Sequence, residues 1–339
     1  MKPKVGIPRA LFYYYLYPAW EAFFTSLGAE VVLSSRTHKG IVNSGVTTAV
    51  DEACLPVKVY YGHVLDLAGR VDYLFLPRLV SIEPRAYICP KFMGLPDMIK
   101  ANLDRLPKVI DWCVDVSRSD REYRKELLKT ARLFTSDRRI IRQAEAAARE
   151  RLGEYSRLLE LGWLPEEAIS MLTGQREDSG NRDEDQEETR GERLRIAILG
   201  HAYTLYDEYV SHQVISKLQQ LGVKVTTPEM LPEELIETEA RRLPKRMFWT
   251  LGKKIIGAAF HFLDSGEYDG IIHLACFGCG PDSLVAELVA IEAQRRKQPP
   301  FMMLTLDEHT GEAGTVTRLE AFVDLVQRSR HMKQRSATV

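Results

Sequence analysis

The sequence predicts an α/β fold of two lobes with parallel sheets, related by internal duplication and separated by a helical insert. Three observations carry this. A strand–helix–strand order opens the chain, the same order returns past its midpoint, and the stretch between the copies differs in composition. In the first copy Lys4–Ile7 forms a strand ended by Pro8. Leu16–Leu27 forms a helix with Trp20, Phe23, Phe24 and Leu27 on one face, Gly28 closes it, and Glu30–Ser34 is the next strand. In the second copy Arg195–Leu199 is a strand followed by a Tyr-containing loop, Gly200 to Asp207. A helix then runs to about Leu221, stops at Gly222, and leads into the strand Val223–Thr227. Val71–Pro77 and Tyr268–Leu274 are matching buried strands, each leading toward a cysteine. The repeat is nearly a domain long, which excludes a short-period solenoid.

The resulting division is a first lobe over 1–114, a helical insert with an acidic linker over 115–192, a second lobe over 193–330 and a disordered tail over 331–339. Asp120–Leu172 reads as two or more helices. Gln175–Glu192 has almost no apolar residues, and such a composition buries too little to offset the entropy of ordering. The 339 residues suit about two domains of roughly 100–200 residues. With 46 basic and 47 acidic residues there is no broad basic field, so general nucleic-acid binding is not expected. Pro8, Arg9 and Pro18 break the first apolar stretch, so no secretory signal is expected, and no apolar run is long enough to span a membrane. The expected compartment is the reducing cytoplasm, where thiols serve metals or redox chemistry more often than disulfides.

The chemistry lies with the five cysteines: Cys54, Cys89, Cys113, Cys276 and Cys279. Open α/β sheets carry their functional loops at the carboxyl ends of the strands, and Cys54, Cys89 and Cys279 fall in such loops. Proline follows Cys54 and Cys89 within two residues and restricts the backbone beside each thiol. Gly278 and Gly280 flank Cys279, let the chain approach a bulky inorganic group, and offer backbone N–H donors to it. Lys58 and Lys91 are placed to balance thiolate charge. Cys113, within an apolar stretch, reads as a small buried residue. Spacing alone leaves alternatives: Cys276 and Cys279 have the CxxC spacing of a redox pair, and four thiolates also suit structural zinc. The compact run of a bacterial ferredoxin is absent.

These residues carry a resemblance. The segments VGIPRALFYYYLYP (5–18), AVDEACLPVKVYYGHV (49–64), FLPRLVSIE (75–83), YICPKFMGLPD (87–97), FGCGPDS (277–283) and LTLDEHTGEAG (304–314) resemble the 2-hydroxyacyl-CoA dehydratase superfamily. The similarity is greater to its uncharacterised branch of acyl-CoA dehydratase activase-related proteins. The resemblance implies Rossmann-like lobes and a [4Fe-4S] or related iron–sulfur cluster at their junction. It implies Cys54, Cys89 and Cys279 as ligands, with Cys276 as an auxiliary ligand or a bystander. It also implies an ATP-hydrolysing activator protein that delivers an electron at low potential, or a dehydratase-like subunit, as partner in a homo- or hetero-dimer. An acyl-CoA or other small molecule is the implied substrate. The chain itself has no GxxxxGK[ST] loop. An iron–sulfur electron-transfer or reductase component is the reading favoured; the rivals are a non-catalytic scaffold or maturation factor and a zinc-stabilised binding protein.

Two further loops hold candidate residues. His201, Tyr203, Tyr206 and Asp207 crowd the first loop of the second copy, where His201 and Tyr203 are expected to face the cluster or a ligand; ordinary capping by Asp207 with tyrosine packing is the alternative. The run from Asp307 to Gly314 follows the strand Phe301–Leu306, and Glu308, His309 and Glu312 suit proton transfer beside a redox site. The alternative is a turn that caps a helix over Thr317–Gln327. Arg78, Glu83 and His63 are weaker candidates, and 248–253 is expected to pack a helix.

Overall fold

The computed structural model describes residues 1–117, 120–174 and 193–337, so the stretch 175–192 expected to be a linker lies outside the described residues. The chain divides into two compact units, Met1–Leu158 with Met247–Leu251, and Leu159–Arg246 with Gly252–Val339.

The chain opens with β1 (Lys4–Ile7), α1 (Tyr13–Ser26) and β2 (Glu30–Leu33). Trp20, Phe23, Phe24 and Leu27 form the buried face of α1, and Trp20 and Phe24 set their rings edge-on to Phe75 at 5.1 and 5.0 Å. Gly28 takes φ of 87°, the left-handed conformation that ends a helix without a Cβ penalty. Next come α2 (Lys39–Thr48), α3 (Leu55–Ala68), β3 (Tyr73–Phe75) and β4 (Arg78–Ser81). The single strand expected over 71–77 is interrupted at Pro77, which has no N–H to give a ladder. α4 (Pro90–Asn102), β5 (Lys108–Ile110) and β6 (Cys113–Asp115) complete the lobe. The region between the copies is helical: α5 (Asp120–Ala131), α6 (Arg138–Glu160) and α7 (Pro165–Leu172). The buried Tyr155 hydroxyl of α6 donates to the Tyr14 carbonyl of α1 at 2.7 Å.

The second copy comprises β7 (Arg195–Leu199), α8 (Ala202–Leu205), α9 (Val214–Gln220), β8 (Lys224–Thr226), α10 (Glu233–Ala240) and α11 (Thr250–Asp264). It ends with β9 (Gly270–Cys276), α12 (Gly280–Arg296), β10 (Phe301–Leu306) and α13 (Glu312–Ala337). The one helix expected before Leu221 is two, because Asp207 Oδ1 accepts from the N–H groups of Tyr209 and Val210 and turns the chain between them. α13 is longer than the expected 317–327 and stays helical to Ala337, where a disordered tail from 331 was expected. Its buried anchors Leu319, Phe322, Val323 and Val326 recur at helical spacing, and the residues after them are good helix formers.

Both main sheets are parallel and have one topology. Their strand orders are β2-β1-β3-β5 and β8-β7-β9-β10, the same arrangement of first, second, third and fourth strands. The short β4–β6 pair extends the first unit alone. This is an α/β fold with Rossmann-like lobes, and the duplication extends to individual contacts. The Lys4 N–H donates to Asp72 Oδ2 at 2.8 Å, and the Arg195 N–H donates to Asp269 Oδ2 at 2.9 Å. Each aspartate precedes the third strand and ties it to the start of the first. A Cβ on Gly62 would lie 2.0 Å from the Ile41 carbonyl oxygen, and one on Gly257 would lie 2.3 Å from that of Ile236. Glycine is thus what lets α3 meet α2 and α11 meet α10 in backbone contact. No helix among the described residues is long and apolar enough to cross a membrane.

Candidate metal-binding thiols and a buried polar cluster

Three cysteines occupy equivalent local settings. Cys54, Cys89 and Cys279 are the N-caps of α3, α4 and α12, and each helix has proline at its first or second position. Proline fits there because the N–H it lacks has no intrahelical partner. A helix that feeds a parallel strand runs against it, so these N-termini lie at the carboxyl edge of their sheets. A helix N-terminus favours a thiolate, since its unpaired N–H groups point outward and its dipole is positive.

In the first unit Cys54 and Cys89 come within electrostatic range of each other. Burial pushes the Cys89 thiol up and the nearby Cys54 pushes it the same way, while the N–H groups of Lys91 and Phe92 oppose both. Cys54 is buried and Cys89 partly so. Lys58 is buried on α3, and Lys91 Nζ donates to the Glu52 carbonyl at 3.1 Å, holding the two cysteine loops together. Cys113 is half-buried on an edge strand rather than fully buried, because only β4 pairs with β6.

In the second unit the carboxyl edge collects three loops. Leu199 pairs with His273, and Cys276 with Leu306, so the segments after β7, β9 and β10 emerge side by side. His201 follows β7 and Cys279 follows β9; with Asp282 they place one donor atom each within 4.8 Å of one another, and all three are buried. His201 is 4% exposed, its ring stacks on Tyr203 at 4.9 Å, and neither ring nitrogen has a hydrogen-bond partner among the described residues. Asp282 Oδ1 lies 3.1 Å from His273 Nε2 and 4.0 Å from His201 Nε2. Burial lowers His201, and Asp282 opposes that shift. Asp282 is held below the ordinary carboxylate range: burial raises it, but the two histidines and the Cys276 backbone outweigh burial.

The other candidates are placed as follows. Cys276 ends β9, and its buried sulfur lies 3.3 Å from Thr204 Oγ1, outside the His201–Cys279–Asp282 group. Tyr206 bonds Thr227 at 2.6 Å and Glu229 at 3.0 Å, and Asp207 caps a turn. His309 is exposed; its N–H donates to Asp307 Oδ1, and Thr310 closes the same turn. Glu308 is half-buried in that turn. Glu312 starts α13 at the surface, where its bond from Lys217 Nζ at 2.5 Å holds the carboxyl below its ordinary range. Arg78 pairs with Asp97, and His63 is buried between Ser34 and Thr37. Within 248–253, Phe248 is exposed and the residues from Thr250 onward are the first turn of α11.

Asp282 and His273 were not singled out from the sequence. The signal for His273 is one imidazole in an otherwise apolar, wholly buried strand. The signal for Asp282 is a carboxylate one helical turn past an N-cap cysteine.

The family of the CoA enzyme activase uncharacterised domain matches residues 4–231 of the chain. No curated protein matches it.

Proposed function

Because the chain belongs to the family of the CoA enzyme activase uncharacterised domain, we propose that it is an iron–sulfur component related to the 2-hydroxyacyl-CoA dehydratases, serving electron transfer or reduction. The ligands proposed are the N-cap thiols of Cys54, Cys89 and Cys279. The observation that supports this is that Cys54 and Cys89 each cap a helix N-terminus inside the first unit, where the Lys91–Glu52 hydrogen bond ties their two loops. The donor set fits: thiolates are the ligands of such clusters, and backbone N–H groups beside them tune the potential.

A bound [4Fe-4S] or related cluster supplies one-electron chemistry. The chain's own residues prepare for it. The N-termini of α3, α4 and α12 present backbone N–H groups beside the three sulfurs. Gly278, with φ of 76°, turns the chain between Cys276 and Cys279 where a Cβ would be strained. His309 and Glu308, on the loop next to the end of β9, carry the groups suited to proton exchange with solvent; Glu312 orders that loop through Lys217. The partner proposed is a separate ATP-hydrolysing activator, or a dehydratase-like subunit.

Anaerobic purification followed by iron and sulfide analysis and electron paramagnetic resonance tests the reading. Cys54→Ala, Cys89→Ala and Cys279→Ala should each lose iron and sulfide, whereas Cys113→Ala should keep them. Full retention in the first three overturns it. A cluster-bearing chain that binds an activator but shows no ATP-driven reduction selects the scaffold alternative.

A further inference from the structure

The second unit holds a donor set that the cysteine pattern alone does not contain. His201 Nε2, Cys279 Sγ and an Asp282 carboxylate oxygen are mutually within 4.8 Å, and all three residues are buried. A tetrahedral site with bonds of about 2.0–2.3 Å separates its donors by roughly 3.5 Å. Side-chain adjustments of about an ångström would therefore close the three around one ion. Imidazole, thiolate and carboxylate together suit zinc or ferrous iron, and three protein ligands leave a fourth position.

Two independent observations mark the cluster as more than packing. The first is His201 itself, 4% exposed with both ring nitrogens lacking a hydrogen-bond partner among the described residues. An unpartnered buried imidazole is costly unless something else satisfies it. The second comes from the duplication. Aligned from the strand starts Lys4 and Arg195, His201 corresponds to Ala10. From Asp72 and Asp269, His273 corresponds to Leu76. From the N-caps Cys89 and Cys279, Asp282 corresponds to Phe92. The first unit fills all three places with buried apolar residues, so the fold does not require polar ones.

We propose that the second unit binds a single divalent transition metal through His201, Cys279 and Asp282, with His273 as a positioning residue that holds the Asp282 carboxylate. The proposal shares Cys279 with the iron–sulfur reading but needs neither Cys54 nor Cys89. His273 Nε2, at 3.1 Å from Asp282 Oδ1, supplies the outer hydrogen bond that orients a ligating carboxylate.

Cobalt(II), titrated anaerobically into the full chain freed of metal by chelator, tests it. Wild type and the Cys54→Ser/Cys89→Ser double variant should show the same thiolate-to-cobalt charge-transfer absorption at one equivalent. Cys279→Ser should abolish that absorption. His201→Ala and Asp282→Asn should weaken binding by at least about 100-fold, and His273→Leu by roughly 10–100-fold. Circular dichroism reports whether each variant folds; His201→Gln, which keeps the side-chain volume, replaces His201→Ala if that variant does not. Loss of the absorption in the Cys54→Ser/Cys89→Ser variant, or unchanged affinity in the folded His201 and Asp282 variants, overturns the proposal. Cobalt binding as expected in a chain that takes up no iron and sulfide keeps this site and removes the cluster. Iron and sulfide uptake with cobalt binding indifferent to His201 does the reverse.

Discussion

The two units share a frame and differ in what they place inside it. Each has four parallel strands in one order, an aspartate pinning the third strand to the first, and a glycine that brings two helices into backbone contact. At the carboxyl edge they diverge. The first unit offers two N-cap thiols, and it holds an apolar pocket lined by Ala10, Phe12, Phe75, Leu79 and Phe92. The second offers one such thiol among His201, His273 and Asp282. Aligned through Gly62 and Gly257, the counterpart of Cys54 in chain order is Trp249, a residue that itself belongs to the first unit. Whatever the copies share belongs to the scaffold, and whatever they do not share is a candidate for chemistry.

The largest effects should come from breaking the shared frame. Gly62→Ala and Gly257→Ala each force a methyl group against a helix carbonyl at or below 2.3 Å. Each should cost about 3 kcal/mol or more in denaturant unfolding, because neither clash can be relieved by a side-chain rotation. If one variant is nearly neutral, the two helix pairs are not equivalent and the comparison weakens.

The next test exchanges chemistry for the apolar filling of the other unit. His273→Leu removes the hydrogen-bond partner of a buried carboxylate and should destabilise by about 2–3 kcal/mol. His273→Leu/Asp282→Leu makes the pair apolar, as Leu76 and Phe92 are, and should recover most of that loss. A double-mutant cycle in denaturant measures the recovery. Additive losses would mean that the polar pair holds the unit together.

The frame was largely legible in the sequence and the polar cluster was not. β1, β7 and β10 announced themselves as short apolar runs bounded by proline, glycine or polar residues, and Gly28 and Gly222 marked helix ends. The break at Pro77 and the turn at Asp207 were missed because a local side-chain effect overrode the apolar periodicity. The cysteines stood out by residue type. Asp282 and His273 are nine positions apart and meet only because α12 turns back over β9, a tertiary fact that no spacing rule reports. His201 was visible as a candidate, but its lack of a partner is a property of burial.

A buried histidine of the first unit gives a smaller and pH-dependent contrast. His63 Nδ1 lies 2.8 Å from Ser34 Oγ and Nε2 lies 3.0 Å from Thr37 Oγ1, and burial pushes the imidazole from 6.5 down to about 3. The aligned residue in the second unit is the buried Ala258. The folded form binds its proton less readily than the unfolded chain, so the contribution is intact above pH 6.5 and is lost as pH falls toward 3. Within that window stability should fall by up to about 1.4 kcal/mol per pH unit. His63→Ala should flatten that slope, measured by urea unfolding at several pH values. Equal slopes in the two proteins would show that His63 is not the group responsible.

The smallest effect should separate the copies at a feature they share. Asp72 is exposed, whereas Asp269 is half-buried and also lies 3.6 Å from Arg330. Both accept the N–H that opens the first strand, but water competes more effectively at the exposed site. Asp269→Ala should therefore cost about 1 kcal/mol and Asp72→Ala about half that. Salt should reduce the difference, because the Arg330 attraction is screened while the backbone hydrogen bond is not. If Asp72→Ala proves the costlier, water access is not what distinguishes the two ties, and the equivalence drawn between them fails at its most local point.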